Sequence, residues 1–179
     1  MRYFLGFDLA VKSKLDIDAW RHKSLPSFEA AVPASNFHIT AVFLGQITDR
    51  QLEMLSLGLD ELTMQPQQFS LDMMGYWSKP KILWLGCTNV NDSVYQLYTS
   101  LIEVCKKSTI ELPNRDYKPH VTLVRKVSAN PPAALLAPNF VINVDKLHLF
   151  ESVSGKQGVH YPIRQSWEMR KPIRPKGYS

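Results

Sequence analysis

Apolar residues along this chain fall into short β-type runs separated by three stretches of helical periodicity. Tyr3 to Leu9 is apolar on both faces and predicts a first strand that is central in its sheet. A helix is expected next, with Ser13 as N-cap and Asp16 as a loose capping-box partner. Its start is acidic at Asp16 and Asp18, its end is basic at Arg21, His22 and Lys23, and it fades by Leu25-Pro26. Pro26 to Ser35 reads as a loop, and Phe37 to Gly45 as a second strand. Thr48 with Gln51 forms a capping box before Leu52, Leu55, Leu59 and Leu62, which recur at the spacing of a one-faced amphipathic helix. From Gln67 to Trp77, Phe69, Leu71 and Met73 alternate with Ser70 and Asp72, predicting one half-exposed strand. Lys79-Pro80 breaks it, and Ile82 to Leu85 is expected to pair with it as a hairpin.

Asp92 is expected to cap a third helix, with Val94, Leu97, Leu101 and Val104 as its apolar stripe and Lys106-Lys107 in its last turn. Beyond it come a strand over Tyr117 to Val127 and a short helical turn at Ala133 to Leu136. Phe140 to Val144 and Leu147 to Phe150 read as strand with a bend near Asp145-Lys146; a turn at Ser154 to Gly158 and a last strand over Val159 to Met169 follow. The plan is α+β, with helices interleaved among largely antiparallel strands.

At 179 residues the chain fits one domain, residues 1–169, followed by a tail over 170–179. A composition 45% hydrophobic and 21% charged excludes a disordered chain. The formal charge is +5, and Arg170, Lys171, Arg174 and Lys176 concentrate four positives in the tail, leaving the body nearly balanced. Such a tail suits a phosphate-rich partner, and equally a solvated terminus. Cys87 and Cys105 form no disulfide framework or metal-ligand spacing and read as buried reduced thiols. Neither a secretory leader nor a membrane span is indicated, so the expected location is the cytoplasm.

One short pattern occurs twice. Asn36-Phe37-His38-Ile39-Thr40-Ala41-Val42-Phe43 and Tyr117-Lys118-Pro119-His120-Val121-Thr122-Leu123-Val124-Arg125 each contain His, a β-branched residue and Thr, 82 residues apart. Residues two apart on a strand share a face, so each copy presents one imidazole and one hydroxyl together. Two such strands facing each other would make a His/His/Thr/Thr cleft. With reference pKa values near ~6.5, one imidazole can act as base and another as acid, which is what metal-free, in-line cleavage of a phosphodiester requires. Threonine hydroxyls beside them can donate to non-bridging phosphate oxygens. Arg125 lies on the opposite alternation face of an ideal strand, and a twist or bulge is needed to bring it to the cleft as a fixed positive charge. A single His-x-Thr on an apolar strand is most often ordinary core. Metal ligation stays open, although no His-x-His, Glu-x-x-His or Cys-x-x-Cys spacing supplies further ligands.

The sequence resembles the two-histidine (2H) phosphoesterase superfamily, in its LigT-like branch of RNA 2′,3′-cyclic phosphodiesterases, or 2′-5′ RNA ligases. The likeness runs from Tyr3-Phe4-Leu5-Gly6-Phe7 through both His-x-Thr motifs and Ile82-Leu83-Trp84-Leu85-Gly86 to Leu147-His148-Leu149-Phe150-Glu151-Ser152 and Tyr161 before Trp167. Asp8-Leu9-Ala10 departs from it, where many relatives end this strand in Pro. The resemblance implies a bilobal, pseudo-two-fold fold with no metal or cofactor and hydrolysis of terminal 2′,3′-cyclic phosphate to a 2′-phosphomonoester. It implies His38 as proton donor to the departing 3′-oxygen, His120 as the base that activates water, and Thr40, Thr122 and Arg125 as phosphate ligands. Phe43 and Tyr117 flank the motifs and are candidates for base or ribose contacts, or for core. His22, His148 and His160 match no catalytic position. The expected partners are RNA ends or nucleotides, bound by a monomer. Three alternatives remain: a phosphodiesterase or ligase acting on 2′-5′ linkages, one acting on small cyclic nucleotides, or a non-catalytic RNA- or nucleotide-binding module.

Overall fold

The computed structural model describes residues 1–128, 130–155 and 158–170. The elements are β1 Arg2–Asp8, α1 Val11–Ser24, β2 His38–Gly45, α2 Asp49–Asp60, β3 Gln67–Leu71, β4 Met73–Trp77 and β5 Ile82–Gly86. They continue with α3 Asp92–Lys107, β6 His120–Val124, β7 Phe140–Val144, β8 Lys146–Gly155, β9 Gly158–His160 and β10 Ile163–Glu168. The large sheet runs β10-β8-β1-β2-β6-β5-β4, with β9 attached to β8, and β3 with β7 forms a separate ribbon. Every pairing is antiparallel, so the expected α+β class holds. β1 is central, as its two apolar faces required: Phe4, Leu5 and Phe7 are buried between β2 and β8. Gly6 allows β2 to come close, since a Cβ there would stand 2.7 Å from the Ile39 carbonyl oxygen.

The helices cover this sheet with their apolar stripes. Ile17 of α1, Leu55 and Leu59 of α2, and Val94, Leu97, Leu101 and Cys105 of α3 join the core with Ile39, Leu83, Leu85 and Val121. The capping box of α2 is present: Gln51 N donates to Thr48 Oγ1 at 3.2 Å, and Thr48 N donates to the Gln51 side chain at 3.0 Å. The other two expected caps are not. α1 begins at Val11, directly after the strand, with Ala10 at the cap position and Ser13 already inside the helix. α3 is preceded by Asn91, and Asp92 is its first residue, where its charge still suits the helix dipole.

Several elements divide differently from the pattern reading. The strand expected over Gln67 to Trp77 is two strands in different sheets. The chain switches sheets at Asp72, whose backbone N–H donates to Gly86 O at 3.0 Å and whose carboxylate accepts from Thr88 N at 2.7 Å. The hairpin with Ile82 to Leu85 therefore involves β4, while β3 pairs with β7. β7 and β8 part in the same way at Asp145, and the last strand is split at Tyr161-Pro162 into β9 and β10. The strand expected over Tyr117 to Val127 is only β6, because Lys126 adopts φ 55° and turns the chain. No helical turn forms at Ala133 to Leu136. There, Leu135 N donates to Ser24 O, and Leu136 O accepts from Trp20 Nε1, so this backbone closes the end of α1. Lys171, Arg174 and Lys176 of the basic tail, and the middle of the turn at Ser154 to Gly158, lie outside the described residues.

Candidate active site

β2 and β6 meet in the middle of the large sheet at one pair, Ile39 opposite Val121. That register sets His38 beside Thr122 and Thr40 beside His120, with all four side chains on one face. All four line a cavity of about 880 Å³. Thr40 is buried, and both histidines are half-buried.

Bulges then decide what else reaches this face. On β2, Leu5 and Gly6 oppose Val42 and Thr40, so Ala41 is an extra residue. On β6, Leu83 and Trp84 oppose Val124 and Thr122, so Leu123 is extra. Each bulge reverses the alternation beyond it. Phe43 and Arg125, each five residues past its histidine, are thereby turned to the side of the histidines and line both cavities of the cleft. This is the bulge that Arg125 needed. Buried Arg21 helps hold it, donating from Nη1 to the carbonyls of Leu123 and Val32, both at 2.7 Å.

The two imidazoles are oriented alike. His38 Nδ1 lies 2.7 Å from Asn36 O, and His120 Nδ1 lies 2.7 Å from Lys118 O. A carbonyl only accepts, so each Nδ1 carries the proton and each Nε2 is left with its lone pair. Burial pushes the His38 pKa down to about 4; Arg125 and His120 act in the same direction, against the Asn36 carbonyl and Asp8. His120 is lowered by burial first and then by Arg125 and Lys118, against the Lys118 carbonyl. Both rings are therefore neutral at pH 7 in the free protein, and a bound phosphate anion would raise both.

Aromatic rings fix each imidazole from the side. Tyr161 meets His38 nearly edge-on at 4.8 Å between centroids, and Phe4 lies at 4.8 Å with a 32° tilt. Trp77 meets His120 edge-on at 4.6 Å. Behind it Trp84 occupies space that Gly75 leaves open, since a Cβ there would stand 2.1 Å from the indole. A second cavity, of about 570 Å³, opens on the His120 side and is mainly aromatic and aliphatic, including Phe43, Trp77, Ile82 and Tyr98. Phe43 is 54% exposed, so its ring is free in the cleft. Tyr117 also borders this cavity, but one face of its ring stacks on Tyr98 at 4.4 Å, and its hydroxyl is buried without a partner. Among the described residues, no group of three or more His, Cys, Asp and Glu is gathered to hold a metal ion.

Two neutral, identically tethered histidines with paired threonines can pass protons to either side of a bound phosphate. Comparison with known proteins identifies the family. The family model of the 2′-5′ RNA ligase superfamily matches residues 9–156. The chain belongs to the 2′-5′ RNA ligase superfamily. The RNA 2′,3′-cyclic phosphodiesterase of Escherichia coli is 28% identical over 173 residues, covering 94% of this chain and 96% of that protein. The enzyme of the same name from Archaeoglobus fulgidus is 31% identical over 139 residues, covering 75% and 77%. The crystal structure of E. coli LigT complexed with 3′-AMP superposes with a TM-score of 0.82 at 27% identity, over 95% of this chain and 98% of that one. The fold is thus LigT-like.

Within this superfamily member, the motif residues His38, Thr40, His120, Thr122 and Arg125 come together as expected, and Phe43 joins them. The cleft also contains residues that the sequence reading gave no role. Tyr161 lies 67 degrees to His38 in plane, and its hydroxyl is 3.5 Å from Arg125 Nη2. Trp77, Arg2 and Arg115 line the cleft as well. Tyr161 entered the sequence reading only as a match near the C-terminal strand, and no local pattern around it marks a site. The remaining histidines lie elsewhere. His22 Nδ1 is 2.8 Å from Asp18 O on α1, His148 is buried with Nδ1 2.8 Å from Ser166 Oγ, and His160 is exposed in β9. Cys105 is buried, with its thiol pushed up to about 12, and Cys87 is half-buried and raised to about 11; both are free. Among the described residues, no helix is long and apolar enough to cross a membrane.

Proposed function

We propose that this protein hydrolyses the 2′,3′-cyclic phosphate at an RNA 3′ end to a 2′-phosphomonoester. The observation that carries the proposal is the matched presentation of two imidazoles, each held through Nδ1, over one cavity that also holds Thr40 and Thr122. That the E. coli and A. fulgidus relatives are RNA 2′,3′-cyclic phosphodiesterases supports the same reaction.

In this reading, His120 Nε2 takes a proton from water as the water oxygen bonds to phosphorus. The bond from phosphorus to O3′ breaks in line, and His38 Nε2–H delivers its proton to O3′. His38 must enter this step protonated. Burial opposes that in the free protein, and the phosphate anion reverses it, so binding of the substrate charges the acid. Thr40, Thr122 and Arg125 donate to the non-bridging oxygens, and Phe43 offers a free ring to the base or ribose. No step calls on a metal. Residue for residue, the pair accounts for both proton transfers.

His38→Ala and His120→Ala test the assignment in a turnover assay on a short RNA ending in 2′,3′-cyclic phosphate. Each is expected to lower kcat by roughly 10² to 10⁴ while leaving the circular dichroism spectrum unchanged. Near wild-type turnover in either variant would remove that residue from the proton relay.

A further inference from the structure

The two cavities of the cleft differ in character, and the reacting ribose has two different ends to place. The cavity on the His120 side is mainly aromatic and aliphatic, with Arg115, Asp116, Lys118 and Arg125 among its lining, and His38 does not line it. The cavity that His38 does line, together with His120, is more polar: of the two, Arg2, Gln46, Ser152 and Tyr161 line only this one, Arg115 lines both, and Glu111 is its one acid. Among the described residues, neither Arg2 nor Arg115 takes part in an ion pair or a side-chain hydrogen bond.

The connectivity of a 2′,3′-cyclic phosphate links these two facts. O3′ is bonded to C3′, whose neighbour C4′ carries the 5′ carbon and the upstream phosphodiester. O2′ is bonded to C2′, whose neighbour C1′ carries the base. Base and upstream strand therefore leave on opposite flanks of the reacting phosphorus. If His38 serves O3′, the upstream strand departs on the His38 side and the base on the His120 side. The mainly apolar cavity borders His120 and not His38, and of the two cavities the group of Arg2, Gln46 and Ser152 borders only the one that His38 lines.

We infer that the part of the cavity of about 880 Å³ lined by Arg2, Gln46 and Ser152, beyond His38, is an upstream-strand subsite, in which Arg2 contacts the phosphodiester 5′ to the terminal nucleoside. This rests on the function proposed above and makes an oligonucleotide, not a mononucleotide, its preferred substrate. The placement of Arg2 fits. It is exposed, sits opposite Ser152 of β8, and precedes Phe4 by two residues on the same strand face. Two residues of strand span about 6.8 Å, and Phe4 itself touches His38, so Arg2 stands one step outward from the reacting centre. A guanidinium there can bind a phosphodiester through paired donors.

The test compares cytidine 2′,3′-cyclic phosphate with a cytidine dinucleotide ending in 2′,3′-cyclic phosphate, in the full chain and in Arg2→Ala and Arg2→Lys. The expected kcat/KM ratio favours the dinucleotide by about tenfold. Arg2→Ala should bring that ratio close to one and reduce the slope of log KM against log salt for the dinucleotide by about 0.7, and Arg2→Lys should keep much of both. Equal kcat/KM on the two substrates in the unmodified protein, or a ratio that Arg2→Ala leaves in place, overturns the subsite alone. Inactivity on both substrates overturns the cyclic-phosphate reading and the subsite with it.

Discussion

His38 and His120 share one local geometry and differ in their neighbours. Opposite His38 on β1 is Asp8, a carboxylate that pulls its pKa upward and is itself paired with Lys14 at 2.6 Å. Opposite His120 on β5 is Gly86, and the charged groups around that ring are Lys118 and Arg125, both positive. Burial and Arg125 keep the proton off both rings in the free protein, with Asp8 a smaller opposing influence at His38, so the proposed division of labour depends on the substrate's phosphate charging His38. Both free-protein values are lowered from the usual 6.5, so the bell-shaped profile of kcat/KM should have its optimum on the acid side of pH 6.5. The kcat profile, set by the complex, should lie higher. Identical profiles centred above pH 7 would contradict this. Stability follows the same groups. A histidine lowered on folding binds its proton more readily unfolded, so its contribution is present above about pH 6.5 and is lost as pH falls toward 4. His38→Gln should remove about 2 to 3 kcal/mol of that acid sensitivity, read from urea titrations at pH 7 and pH 4. At this scale the motif residues were legible because His and Thr two apart must share a strand face. Tyr161 was not, because its meeting with His38 and Arg125 depends on β8 carrying the chain back across β1.

Among the elements, the two bulges do most to shape the cleft. Strict alternation would point Phe43 and Arg125 away from the histidines, and an extra residue at Ala41 and at Leu123 turns them back. A bulge leaves no mark in a hydrophobic pattern, so the sequence could state only that Arg125 needed one. The device around Leu123 can be checked through Arg21, which is buried and donates to the carbonyls of Val32 and Leu123 while its charge pairs with Asp18. Arg21→Met should cost roughly 2 to 4 kcal/mol in denaturant unfolding and raise KM, since it leaves Asp18 without its partner and loosens the strand that aims Arg125. A stable variant with unchanged KM would show that the bulge holds without it. The strands misjudged as continuous, Gln67 to Trp77 and Val159 to Met169, fail for a related reason. Asp72 moves the chain to a new partner strand without interrupting its alternation, and Tyr161-Pro162 interrupts one antiparallel pairing with β8 that resumes at Ile163.

Across the whole molecule, the half-chain spacing of the motifs corresponds to a pseudo-symmetric construction. β1 and β2 are mirrored by β5 and β6: Leu5 pairs with Val42 as Leu83 pairs with Val124, and Gly6 with Thr40 as Trp84 with Thr122. The two halves join at Ile39 and Val121, and the cleft opens there. The halves share a plan but not their side chains: of the two cavities, Trp77, Ile82 and Tyr98 line only one, and Arg2, Gln46 and Ser152 only the other. The central claim is that this pair cleaves a cyclic phosphate by proton transfer alone. The direct measurement is ³¹P NMR of the product formed from an RNA oligonucleotide with a 2′,3′-cyclic phosphate end, with and without excess chelator. Conversion to the 2′-phosphomonoester at the same rate in both is expected. A 3′-phosphomonoester product, or activity abolished by the chelator, would contradict it.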